Sequence, residues 1–175
     1  KKMIERYQIK KLPTFILEGE INKGNDLKAA LAKMGVTQNG VFVYELSGGP
    51  FVETATGVIK GRTKLTLITD ITCAECYDVA QHEIILGQFG INTANSKVGD
   101  VKSTLGQALV KAYIIKMIPT FVLSGEVKEY PGLASVWSQV GMVARDGAYV
   151  FTKGVPLMGV YKDLNTNKIV TPSTK

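Results

Sequence analysis

The chain has 175 residues, 21 basic against 15 acidic side chains for a formal charge of +6, and 45% hydrophobic residues. That length allows one sizeable domain or two small ones, and the composition excludes a disordered polypeptide. The lysines are spread along the whole length with no block of like charges, which argues for a solvated surface and against a nucleic-acid patch, and no apolar run is long enough to span a bilayer.

The first elements contain an internal repeat. Tyr7, Pro13-Thr14-Phe15, Leu17, Gly19 and Glu20 recur as Tyr113, Pro119-Thr120-Phe121, Leu123, Gly125 and Glu126. The register continues through Leu27 with Leu133, Leu31 with Trp137 and Gly35 with Gly141. One residue later residues 40–44 align with 147–151; Pro50 then aligns with Pro156 and residues 57–60 with 159–162. A tandem duplication is expected. Residues 1–62 read as the second half of a unit: a strand pair started by proline, a helix near residues 26–34, and a β extension marked by glycine and proline. The expected half-unit leaves a sheet edge unpaired, to be completed by an upstream segment or by another chain, including a second copy. Lys1 is followed by no leader pattern, so a processed product or fragment is expected.

Residues 63–175 read as a complete unit. Residues 64–70 are apolar and β-branched, as in a buried strand. Thr72 is placed to cap a helix running from Cys73 through Tyr77, Val79, Ala80, Ile84 and Ile85, ended by Gly87 and Gly90. A short strand near residues 94–98 follows, then a helix capped by Ser103 with Leu105, Ala108, Leu109 and Ala112 on its apolar face. Strands are expected at residues 120–124 and 126–130 around a turn at Ser124-Gly125, and a helix at 133–140 closed by Gly141. The extension comprises strands at 147–152 and 155–163 and a hairpin turn at Asn165-Thr166-Asn167 leading into 168–170; residues 171–175 are expected to fray.

Chemistry concentrates at Cys73 and Cys76, the only two cysteines. They are too few for a disulfide-stapled scaffold and half of a four-cysteine zinc site, which the lone His82 cannot complete. Redox chemistry without a metal or organic cofactor is the expected use. Unpaired amides and the dipole at a helix N-terminus favour a thiolate, which assigns Cys73 as the attacking sulfur and Cys76, one turn further in, as the resolving thiol. Glu75 opposes that stabilisation. Asp70 reads either as a proton acceptor for Cys76 or as a residue of the turn that ends the strand. His82 reads as a surface or partly packed histidine, and Trp137 and Tyr113 as core aromatics.

Cys73-Ala74-Glu75-Cys76 after a buried strand resembles the thioredoxin active-site motif, and Tyr113-x-Ile115-x-x-Ile118-Pro119-Thr120 is similar to the segment that carries the cis-proline of that family. The resemblance covers residues 64–140 fully and 5–34 in their second half only. Residues 161–170 resemble an ending of tandem thioredoxin-like proteins of archaea and uncultivated bacteria. It implies an α/β fold, a thioredoxin-like mixed sheet flanked by helices and preceded by a partial copy of the same unit. It also implies a cis-proline loop facing the cysteines, with the backbone of Ile118 holding substrate, Pro119 shaping the site, and Leu12-Pro13 a relic. This chain departs from the family at Thr72, where tryptophan is common, at Ala74-Glu75, where Gly-Pro is common, and at Leu67, where many members carry a buried acid; Asp70 is the nearest substitute. The function implied is thiol–disulfide exchange on proteins, with a dithiol protein or a membrane redox protein as electron partner. The alternative is a non-catalytic interaction or cell-surface module with a structural disulfide. An extracytoplasmic setting with a membrane tether outside this chain is expected; a cytoplasmic one is the other reading.

Overall fold

The computed structural model describes residues 1–21, 25–45 and 48–172, in which helices and short strands build a mixed α/β architecture. The chain divides into two units, Lys1–Arg62 and Thr63–Lys175. The first contains α1 (Lys2–Arg6), β1 (Lys11–Leu12), β2 (Ile16–Glu18), α2 (Asn25–Ala32), β3 (Gly35–Gln38), β4 (Val41–Tyr44), β5 (Phe51–Glu53) and β6 (Ile59–Lys60). Its strands form two antiparallel sheets, ordered β2-β4-β3 and β1-β5-β6. The break between β1 and β2 falls at a cis Leu12-Pro13 bond, where proline offers no N–H to a ladder. Two small cores result, one around Tyr7, Ile9 and Val43 and one around Ile21, Leu31 and Phe42. Phe15 stays half exposed, stacked on Tyr44 at 4.9 Å.

The second unit contains β7 (Thr63–Thr69), α3 (Gln81–Gln88), β8 (Lys97–Asp100), α4 (Thr104–Tyr113), β9 (Met117–Ile118) and β10 (Thr120–Gly125). A 3-10 turn at Val127–Glu129 precedes α5 (Pro131–Val140), β11 (Gly141–Val143), β12 (Tyr149–Phe151), α6 (Val155–Met158), β13 (Tyr161–Asp163) and β14 (Lys168–Val170). Five strands form one mixed sheet, β11-β12-β10-β7-β8, in which β7 runs parallel to β8 and antiparallel to β10. A strand with neighbours on both edges and layers on both faces needs a continuous apolar run, and in β7 the residues Leu65, Thr66, Leu67 and Ile68 are all buried. The two-residue period sends Leu65, Leu67, Phe121 and Leu123 to one face, where they meet Leu86 of α3 and Leu133 and Trp137 of α5. It sends Ile68, Val122 and Val150 to the other, against Leu109 and Val110 of α4. Each such side chain, fully buried, contributes roughly 1.5–3 kcal/mol. Ser103 caps α4 as expected, accepting the Gly106 amide at 3.0 Å.

Four expectations about elements are corrected. The helix expected from Cys73 starts only at Gln81, and residues 71–80 are turns and extended chain. The amides that would continue a helix there are committed elsewhere: Tyr77 N–H donates to Val160 O, and Ala80 N–H to the Asp78 carboxylate. The strand expected at 126–130 is instead the 3-10 turn, whose three-residue period puts Val127 and Tyr130 on one buried side. Residues 155–163 are not one strand, because Pro156 fits the first turn of α6 before β13 begins. The short strand near 94–98 lies at Lys97–Asp100.

Pairings in the two units coincide at matching positions. Ile16 lies opposite Val43 and Val122 opposite Val150; Gly35 lies opposite Tyr44 and Gly141 opposite Phe151. Leu12 lies opposite Val52 and Ile118 opposite Lys162, while Thr54 N–H donates to Lys10 O and Leu164 N–H to Lys116 O. Lys162 therefore corresponds to Val52, not to Lys60, and the β5–β6 hairpin to β13–β14. The sequence match of 57–60 with 159–162 falls outside the register that these pairings share. Of the end expected to fray, residues 173–175 lie outside the described residues.

Candidate redox site

β7 delivers the chain to Asp70, whose side chain is completely covered. One carboxylate oxygen accepts from Lys162 Nζ at 2.6 Å, and the other from the Thr72 amide at 2.9 Å and the Thr72 hydroxyl. The Lys162 ammonium, and after it the Thr72 hydroxyl, hold this carboxyl well below the usual carboxylate range against the opposing effect of burial. Both oxygens of the Asp70 carboxylate are thus engaged, one by the turn that ends the strand and the other by Lys162.

The cysteines follow on a turn. Cys73 N–H donates to Asp70 O at 2.9 Å and Cys76 N–H to Cys73 O at 3.3 Å. The two are joined by a disulfide with Cα atoms 5.4 Å apart. Both are half buried, while Ile71, Thr72, Ala74 and Glu75 around them are exposed. Because α3 opens at Gln81, the helix N-terminus expected to stabilise a Cys73 thiolate is not at Cys73.

Beyond Cys76 the chain goes under cover at once. Tyr77 is buried, and its hydroxyl donates to Pro119 O at 2.6 Å. The Ile118-Pro119 bond is cis, so the cysteine turn and the cis-proline loop are tied together through the residue next to Cys76. The same hydroxyl lies 3.0 Å from His82 Nε2. His82 is only 1% exposed, between the rings of Phe121 and Phe151 at 4.8 and 4.6 Å. It is a core residue rather than a surface one, and burial pushes its pKa down to about 4. Burial raises the Tyr77 phenol, which stays protonated.

The structure thus gathers Asp70, Cys73, Cys76 and Pro119 into one region. Ile118 is also adjacent but is 0% exposed, and its strand is paired, with Lys162 of β13 opposite it. The backbone assigned to substrate is occupied in this arrangement. Trp137 lies in the core; Tyr113 is half buried and sends its hydroxyl to the Asp146 carboxylate at 2.8 Å. The sequence reading missed Lys162, Asp100, whose carboxylate accepts from the Ile71 amide at 2.9 Å, Tyr77 and His82 as parts of this site. The last two carry a local signal, an aromatic directly after the cysteine pair and a lone histidine in an apolar stretch; the first two carry none. Among the described residues, no group of three or more His, Cys, Asp or Glu side chains could hold a metal ion, and no helix is long and apolar enough to cross a membrane.

Comparison with known proteins gives no match to this chain, whether with family models, with curated proteins or with solved structures.

Proposed function

We propose that residues 63–175 are a thioredoxin-like domain that exchanges disulfides with protein thiols through Cys73 and Cys76, and that residues 1–62 are a partial copy of the same unit. One observation carries the functional reading: a Cys-x-x-Cys disulfide, in a turn with exposed neighbours, fastened beside a cis-proline by a 2.6 Å hydrogen bond from Tyr77. The matched registers of the two units support the duplication.

In the reductive direction the Cys73 thiolate attacks one sulfur of a substrate disulfide. A Cys73–substrate disulfide forms, and the departing substrate thiolate takes up a proton. The Cys76 thiolate then attacks the Cys73 sulfur, the Cys73–Cys76 bond forms, and the second substrate thiol leaves. Two electrons pass to the substrate, and the chain is left in the disulfide state described above. A dithiol protein or a membrane redox protein returns the electrons. Run in reverse, the same steps oxidise a substrate dithiol. Ile118 and Pro119 form the substrate edge, and a substrate strand pairs with Ile118 once β13 gives way. Exchange needs neither metal nor organic cofactor. The proposed setting is extracytoplasmic, where a disulfide persists, with a membrane tether outside this chain. In the first unit no described strand takes the place β7 has beside β10, and a strand from a second copy or from a segment outside this chain would pair with β2.

A second reading, a non-catalytic interaction module with a structural disulfide, is favoured by the covered backbone of Ile118. The dithiol–disulfide potential and insulin reduction separate the two. Exchange predicts a potential within roughly −270 to −120 mV and turnover of insulin with dithiothreitol. A potential below about −300 mV with no turnover establishes the structural role.

A further inference from the structure

The turn that carries the cysteines is held at both ends by the same short segment. At the front, Lys162 Nζ binds the Asp70 carboxylate at 2.6 Å, Cys73 N–H donates to Asp70 O, and Ile71 N–H donates to Asp100 Oδ2 at 2.9 Å. At the back, Tyr77 N–H donates to Val160 O at 2.9 Å and the Tyr77 hydroxyl to Pro119 O. Residues 160 and 162 thus fasten both margins of a turn whose middle, Ala74-Glu75, is exposed. A side chain on Gly159 would come within 3.3 Å of Tyr77 Cβ, so the segment reaches Tyr77 over a bare backbone.

The polarity of the Tyr77 contacts follows from their partners. A hydroxyl has one hydrogen, and Pro119 O can only accept, so that hydrogen is committed to the proline carbonyl. His82 Nε2, 3.0 Å from the same oxygen, must then be the donor. His82 fixes which way the tyrosine points its proton.

We infer that Tyr77, backed by His82, is a positioning residue that keeps the Cys76 sulfur within closing distance of Cys73. Closing an intramolecular disulfide costs less when the two thiols are already held together, because less freedom is lost on forming the bond. Freeing the residue next to Cys76 lowers the effective concentration of one thiol toward the other and shifts the pair toward the dithiol. The inference rests on the redox reading only in requiring that the pair open and close.

The test is the equilibrium of the pair against a glutathione buffer, read by thiol alkylation, in the wild-type chain and in Tyr77→Phe, His82→Leu and His82→Gln. Tyr77→Phe is expected to lower the disulfide-forming constant about tenfold, which for two electrons is about 30 mV. His82→Leu is expected to shift it in the same direction. His82→Gln, which keeps an N–H donor, stays within twofold of wild type. A folded Tyr77→Phe chain with an unchanged constant overturns the inference, as does a His82→Gln shift equal to that of His82→Leu; the histidine pair decides the matter if Tyr77→Phe does not fold. A wild-type chain that equilibrates with glutathione yet turns over no protein disulfide defeats the proposed exchange function and leaves this comparison readable.

Discussion

Lys162 Nζ lies 2.6 Å from Asp70 Oδ2, an ion pair that joins the last hairpin to the end of β7 across 92 positions of sequence. The aspartate side chain is fully covered and that of the lysine 16% exposed, so removing one partner leaves a poorly solvated charge. Asp70→Asn is expected to cost about 2–4 kcal/mol. Lys162→Met is expected to cost more, because the carboxylate it strands is the more deeply buried group. The double variant should recover part of the loss. Urea unfolding followed by fluorescence measures all three, since Trp137 is the only tryptophan and is buried in this unit. Strictly additive losses would show that the contact contributes nothing.

The same unit should lose stability in acid over two separate windows. His82 has a folded pKa pushed down to about 4, below the roughly 6.5 of an unfolded histidine. The unfolded chain therefore takes up a proton that the folded chain refuses, and stability falls from about pH 6.5 to about pH 4, by at most about 3 kcal/mol. Asp70 is held below its ordinary range, so its contribution is complete above about pH 4 and is lost only as the pH drops further. The Trp137 unfolding midpoint across pH 2–8 reads the upper window whole and the lower one from its onset. His82→Gln should flatten the upper window and leave the lower one; a wild-type midpoint that is constant from pH 7 to 4.5 would contradict the buried neutral histidine.

The roles of the two sulfurs are open to a trapping experiment. With Cys76→Ser, a Cys73–substrate disulfide has no resolving thiol and should accumulate on a non-reducing gel. With Cys73→Ser, it should not form. Both cysteines are half buried, so their ranking rests on chain order and on the fixed position of Tyr77 behind Cys76. Equal trapping by the two variants would remove the division of labour.

What could be read from the sequence was local. The apolar run in β7, the Ser103 cap and the strand at residues 120–124 depend on neighbours within a few residues, and each appears as read. The cysteine pair and the proline strand were also legible, because each is a short motif. The delayed start of α3 was not, since it turns on Tyr77 N–H binding Val160, far along the chain. Lys162 gave no signal either: a lysine beside a hairpin turn reads as solvated, and only its position opposite Ile118 brings it to Asp70. His82 is more enclosed than the surface or partly packed histidine expected, because Phe121 and Phe151, which enclose it, arrive from two other strands.

The correspondence between the units can be probed at a pair of glycines. A Cβ on Gly141 would lie 2.5 Å from Val150 O and 2.7 Å from the Trp137 ring; on Gly35 it would lie 2.2 Å from Val43 O and 2.9 Å from the Phe42 ring. In both places a strand crosses its partner so closely that the backbone has no room for a methyl group. The backbone angles at Gly141 are extended, so conformation is not the obstacle and space alone decides. Gly141→Ala must push β11 from β12 or shift the Trp137 ring, and the Trp137 NH bond to Met142 O, 3.0 Å long, should be lost with it. A destabilisation of about 1–3 kcal/mol or more is expected, with a red shift of native fluorescence as the ring gains water. Gly35→Ala should weaken protection of the β3–β4 amides in hydrogen exchange, since the same crowding acts there on Phe42. A neutral effect at both sites would mean that the two hairpins do not close as tightly as their shared register requires.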